Sequence, residues 1–238
     1  MQISSRITTI LLLVCFTIIT SSAQFGIRAK YSSNEFSTWE NALRDSPSSN
    51  TNEILNSSFG VGVDYWFRLK EKRIEFLPEL SYGLKTTSSI DDNVSVSFQN
   101  FAFNFNTHIY AFDLVGDCDC PTFSKQGPTL KKGFFFLVSP GVSMNMHNYD
   151  TELPSETSNS ATDYSIRFGV GAGYDIGIND LVTVTPIVSY NVGTSVTGDH
   201  LEFSQYFQQV DDLSSSWNHL LFQLRIGFRP DYVNKYRR

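Results

Sequence analysis

The chain has 238 residues, 41% hydrophobic, 14% aromatic and 18% charged, with 24 Asp+Glu against 18 Lys+Arg. Twenty Phe and eleven Tyr exclude a disordered chain, and three Cys exclude a disulfide scaffold. A slightly negative mean hydropathy excludes a polytopic helical membrane protein, and a net charge of −6 gives no electrostatic basis for binding nucleic acid.

The chain opens with Arg6, an apolar run from Ile10 to Ile19, and then Ser21-Ser22-Ala23. The run is too short to span a bilayer as a helix and lacks a basic flank. Small residues at Ser21 and Ala23 fit signal-peptidase cleavage, so residues 1–23 read as a cleaved secretory signal. Cys15 lies inside the apolar run after Val14, which argues against a lipidated cysteine.

From Gln24 onward the dominant period is two, the signature of half-buried strands. Phe25, Ile27, Ala29 and Tyr31 alternate with Gly26, Arg28 and Lys30, and Phe59, Val61, Val63, Tyr65, Phe67 and Leu69 alternate with Gly60, Gly62, Asp64, Trp66 and Arg68. Eight such segments are predicted, over 25–31, 59–69, 74–85, 100–112, 133–146, 164–178, 181–192 and 218–228. No charged residue falls on any apolar face. The opposite faces carry Arg28, Lys30, Asp64, Arg68, Glu75, Glu79, Lys85, Arg167, Asp175 and Arg225, together with His108 and His219.

Two all-β architectures produce this pattern. A soluble lipocalin-like barrel turns its apolar faces inward, whereas a transmembrane barrel turns them to lipid. The apolar set holds Phe101, Phe103, Phe105, Phe134, Phe136, Phe168, Phe222 and Phe228, which would overfill the narrow interior of an eight-stranded barrel. The strands also reach the roughly 9–11 residues needed to cross a bilayer at a tilt. The sequence therefore predicts an eight-stranded antiparallel up-and-down transmembrane β-barrel over residues 24–229, with a short tail at 230–238. With both termini periplasmic, the polar segments 32–58, 147–163 and 193–217 become exterior loops, and Lys70-Glu71-Lys72-Arg73 and Asn179-Asp180 become short inner turns. The long segment 113–132 breaks this alternation. Pro78, Pro140 and Pro186 each remove a ladder hydrogen bond, which predicts bulges or bends at those points.

Phe59-Gly60-Val61-Gly62 precedes Tyr65, and Phe168-Gly169-Val170-Gly171 precedes Tyr174. A proline strand follows each, Pro78 with Ser81-Tyr82 and Pro186 with Ser189-Tyr190. With these hairpins, the signal and the closing strand Leu224-Arg225-Ile226-Gly227-Phe228, the chain resembles the outer-membrane β-barrel family that includes PorT-like proteins. The resemblance covers nearly all of the mature chain. It implies a Gram-negative outer membrane as the location, insertion by the barrel-assembly machinery, outer-membrane lipids as surroundings, and Phe228 as the terminal aromatic of the last strand.

Candidate chemistry is sparse. Cys118-Asp119-Cys120-Pro121 reads most simply as an oxidised pair in an oxidising compartment, Cys118 with Cys120. A zinc site usually needs four ligands and no second pair exists, and a cross-link to a partner is the remaining use. His147 and His200 lack a serine two residues away, as the acyl-cleaving arrangement of small barrels would require, so no catalytic residue is assigned. His108 and His219 face the expected lumen, where a hydrogen-bonded structural role fits. The alternating Gly169, Gly171 and Gly173 lie on a strand and cannot cradle phosphate. Lumenal charges in a narrow interior must pair, which predicts a polar network of Arg28, Asp64, Glu79, His108, Arg167, Asp175 and Arg225, with Glu79 meeting Arg28, Arg167 or Arg225. The functional expectation is a non-enzymatic barrel with a structural, adhesive, or secretion- or envelope-accessory role, without cofactor or metal and with envelope or secretion proteins as partners. A narrow channel is the alternative, and a lipid-modifying enzyme a more distant one.

Overall fold

The computed structural model describes residues 24–35, 38, 57–69, 72–91, 94–114, 133–151, 159–179, 181–196 and 214–228. The signal at 1–23, Cys118 and Cys120, His200 and the tail at 230–238 lie outside them.

Eight antiparallel strands form one wall. They are β1 (Phe25–Glu35), β2 (Ser57–Tyr65, resumed at Phe67–Arg68), β3 (Ile74–Asp91), β4 (Val94–Ile109), β5 (Phe134–Thr151), β6 (Asn159–Tyr174, resumed at Ile176–Gly177), β7 (Val182–Gly193) and β8 (Asn218–Phe228). Each strand pairs with its sequence neighbour, and β8 pairs with β1 from Phe25↔Phe228 to Glu35↔Asn218. The sheet is therefore a closed barrel. Following ladder partners once around the wall from Phe25 returns to β1 at Glu35, an offset of ten residues that tilts every strand against the barrel axis. The start of β1 and the end of β8, paired as Phe25↔Phe228, mark the lower end.

Period-two alternation decides which side chains face out, because neighbouring residues on a strand point to opposite faces. Ile27, Val61, Val63, Leu80, Phe103, Val142, Val170, Val188 and Leu224 are exposed around the middle of the wall. Aromatic contacts ring both margins of this apolar belt. Phe25–Phe228 and Phe67–Phe76 lie near the lower end, and Tyr31–Phe59 and Tyr82–Phe101 lie nearer the upper end, with ring centroids 4.8–5.3 Å apart. The inward positions are polar and buried, among them Arg28, Asp64, Glu79, Asn106, Asn145, Thr185 and Arg225.

The strands run further up than the alternating apolar pattern indicates. Strand continues through Thr86 to Asp91, with a register shift after Thr87, and Val94 to Gln99, His147 to Thr151 and Asn159 to Asp163 are paired strand, which corrects the exterior loop expected over 147–163. The ladder of β2 with β3 ends at Phe59↔Leu84 and that of β6 with β7 at Arg167↔Gly193. The upper parts of β3, β4, β5 and β6 thus rise above the closed wall as a four-stranded blade. On β4 the pattern inverts at its base: Phe101, Phe103 and Phe105 point outward below, whereas Ser95, Ser97 and Gln99 occupy the outward positions above, with Val96 and Phe98 buried inside. An apolar-face criterion tuned to the belt misses strand whose apolar residues have changed sides.

The prolines produce gaps rather than bulges. The β2–β3 ladder passes from Asp64↔Glu79 to Phe67↔Phe76 across Pro78, β4–β5 from Asn104↔Gly141 to Thr107↔Val138 across Pro140, and β6–β7 from Gly173↔Ile187 to Ile176↔Val184 across Pro186. In each case the register is the same on both sides of the gap. The missing N–H interrupts the ladder with the preceding strand and leaves the opposite ladder intact.

Candidate functional site: the barrel interior

Side chains pack into the interior along its height, and their chemistry differs from one end to the other among the described residues. At the lower end Tyr110, Phe135, Leu137 and Ile187 form a buried apolar cluster. His108 stacks on Phe135 at 3.9 Å between centroids, and the Arg73 guanidinium lies 4.2 Å from the centre of the Tyr110 ring. Arg73, expected in a short inner turn, is wholly buried and pairs with Asp113 of the short 3-10 turn Ala111–Asp113. Just past the end of β4, the Tyr110 hydroxyl sits between two carboxylates, bonding Asp175 and lying 3.0 Å from Glu75 Oε2. Burial, then the charges of Asp175 and Glu75, raise the Tyr110 hydroxyl well above its ordinary pKa, so it remains a donor. Trp66 Nε1 donates to the same Glu75 oxygen at 2.6 Å, and Thr185 Oγ1 donates to Asp175.

One layer higher, Asp64 is held by two guanidinium groups. Arg225 meets it in a forked pair, Nη2 to Oδ1 at 2.7 Å and Nε to Oδ2 at 2.8 Å, and Arg28 Nε donates to Oδ2 at 2.8 Å. Arg28 Nε also lies 3.4 Å from Glu79 Oε2, and Lys30 pairs with the other Glu79 oxygen. Asn106 donates to Glu79 at 2.7 Å and accepts from Ser139. Inward glycines provide the space. A Cβ on Gly26 would lie 2.6 Å from Arg225 Nε, and one on Gly62 would lie 2.7 Å from Glu79 Oε1.

The upper interior has a different chemistry. Phe98 and Trp217 pack edge to face at 5.1 Å, with His147 against Phe98 and His219 stacked on Trp217. Val96 and Val196 are fully buried, and Val196 pairs with Ser215 in an isolated bridge. Lys85 Nζ lies 4.7 Å from both aromatic ring centres, and Arg167 lies 5.1 Å from that of Trp217. Asn100, Asn145, Asp163, Ser143 and Ser165 continue a hydrogen-bonded chain along the wall at 2.6–2.9 Å.

Of the residues singled out from sequence, Arg28, Asp64, Glu79 and Arg225 come together, although Arg225 reaches Asp64 rather than Glu79. Asp175 belongs to the separate Tyr110 cluster. Arg167 donates to Asn104 at 3.0 Å instead of joining the ion pairs. His108 stacks on Phe135, and its Nε2 is buried without a hydrogen bond among the described residues. Lys30, placed on the inner faces but not in the predicted network, joins Glu79, and Arg73, Tyr110, Phe98 and Trp217 were missed. Phe98 and Trp217 carry a readable signal, since each continues the inward phase of its strand, in step with Asn100 and His219.

No family model matches the chain, and no curated protein does. Among solved structures it is similar to Ail, the attachment invasion locus protein of Yersinia pestis, at 9% identity and TM-score 0.44, covering 87% of this chain and 98% of that one. Neisserial surface protein A gives 12% identity and TM-score 0.44 over 88% and 97% of the two chains. The N-terminal β-barrel domain of Pseudomonas aeruginosa OprF gives 11% and 0.41 over 87% and 99%. Closure of the present barrel stands on its own ladder pairs.

Proposed function

We propose that this protein is an integral outer-membrane β-barrel of a Gram-negative envelope, non-conducting and non-enzymatic, whose upper blade and exterior loops serve as an interaction surface. The observation that carries the reading is the apolar belt. Phe59 is 70% exposed and Ile166 67%, on a closed wall whose opposite face buries Arg28, Asp64, Glu75, Glu79 and Arg225. An exposed apolar surface of that extent is stable only against lipid or a partner, and a closed wall pairs the backbone groups that hydrocarbon cannot satisfy. Tyr164, 78% exposed where the polar blade meets the belt, fits an interfacial anchor. Under this reading the surroundings are outer-membrane lipids, the insertion route is the barrel-assembly machinery, and the blade meets envelope or secretion proteins. The finer resemblance to PorT-like barrels belongs to the same reading, supported by the two Phe-Gly-Val-Gly hairpins and the closing strand.

The filled interior favours this over a narrow channel. A soluble lipocalin-like barrel would need the opposite orientation of its faces. Fractionation tests the proposal: the protein should sediment with outer membranes, require detergent for extraction, and run faster unboiled than boiled on gels. Release by alkaline carbonate without detergent would contradict it. Lipid A mass spectra with and without the gene should be identical, and a changed acylation pattern would restore the enzyme reading.

A further inference from the structure

The three proline gaps share one placement. Each lies between two strands joined at the lower end, β2–β3, β4–β5 and β6–β7. The ladders between strands joined at the upper end run on past the prolines, through Pro78↔Phe105, Pro140↔Phe168 and Pro186↔Leu224. The first hairpin, β1–β2, is paired from Phe25↔Tyr65 to Ser33↔Ser57, and the closing ladder β8–β1 is unbroken, with no proline on either strand. We infer that the three proline joints are seams. The wall is four stiff hairpins, and at its lower margin it opens between them before any hairpin or the β8–β1 closure comes apart.

The joints are built alike. In register, Pro78 opposes Tyr65, Pro140 opposes Phe105 and Pro186 opposes Tyr174, an aromatic residue each time. Because the register is the same above and below, a joint lacks a donor rather than a residue, and the proline ring is what removes that donor. Side chains reach across instead. Ser139 donates to Asn106 at 2.7 Å, Thr185 Oγ1 donates to Asp175, and Trp66 Nε1 donates to Glu75 at 2.6 Å.

Little pairing lies below each gap. It consists of Phe67↔Phe76 and Arg68↔Glu75 at β2–β3, Thr107↔Val138 to Ile109↔Phe136 at β4–β5, and Ile176↔Val184 with Gly177↔Thr183 at β6–β7. Opening these short stretches breaks few backbone bonds, so they belong to the low-stability end of the structure. The freed carbonyls lie near the rim, where water can reach them, rather than at mid-wall, where hydrocarbon cannot satisfy them.

The test is amide hydrogen exchange, resolved by residue with NMR, on the mature barrel refolded in detergent micelles. Amides that bond across the joints below the gaps should exchange at least roughly tenfold faster than those at Phe25↔Phe228 to Ile27↔Ile226 of the closure, the scale of one net backbone hydrogen bond. They should also exchange faster than lower-margin amides bonded within a hairpin. Pro140→Val restores an N–H on a strand-forming residue. It should slow exchange across β4–β5 by roughly three- to tenfold and leave β2–β3 and β6–β7 unchanged. Equal protection of joints and closure would overturn the inference. So would uniform fraying of joints and hairpins, or unchanged protection across β4–β5 in Pro140→Val. The joint-to-hairpin comparison in the unsubstituted protein decides alone if that variant fails to refold.

Discussion

The two ends of the interior solve the problem of buried charge differently. Below, carboxylates meet guanidinium and ammonium groups in direct pairs: Asp64 between Arg28 and Arg225, Glu79 with Lys30, and Asp113 with Arg73. Above, the cations Lys85 and Arg167 rest on Phe98 and Trp217. The lower end is a polar core whose ion pairs share members, so removing one should leave others unpaired. The upper end is held by ring contacts, so single losses there should be milder.

The largest expected effect comes from breaking the lower core. Asp64→Ala strands two buried guanidinium groups and should lower stability by about 3–5 kcal/mol, read as a shift of the urea midpoint in detergent or lipid. Next is a charge placed on the belt. Val170→Arg, on the outer face of β6, should cost about 2–4 kcal/mol in a bilayer, and the cost should shrink in a detergent micelle that moulds around the charge. Gly26→Ala should cost about 1–3 kcal/mol by pushing the Arg225 guanidinium off Asp64. A double-mutant cycle of Gly26→Ala with Arg225→Met should show the two effects to be non-additive. The smallest effect belongs to the blade. Thr162→Arg, eight residues from Val170 on the same outer face, should change stability by less than about 0.5 kcal/mol. Equal costs for Val170→Arg and Thr162→Arg would erase the boundary between belt and blade.

Much of this comparison was legible in the sequence, and the rest was hidden for physical reasons. Strict alternation assigned every strand of the belt and its lipid-facing side, because a one-residue error would have buried a row of Phe and exposed a row of charges. Pairing inside the lumen was not legible. Which acid meets which base depends on the ten-residue offset around the wall, and that offset sends Arg225 to Asp64 and leaves Arg167 with Asn104. The blade was hidden because its apolar residues, Val96 and Phe98, lie on the inner face. Arg73 was hidden because a charged residue in a short turn gives no sign of folding back under the barrel to reach Tyr110 and Asp113.

The central claim is that this barrel crosses the membrane with a sealed interior, and its most direct test is electrical. After insertion is verified by the heat-modifiable band, the unsubstituted protein in planar lipid bilayers should give no unitary current steps above the bare-membrane baseline. Stable, reproducible steps from that protein would contradict the account.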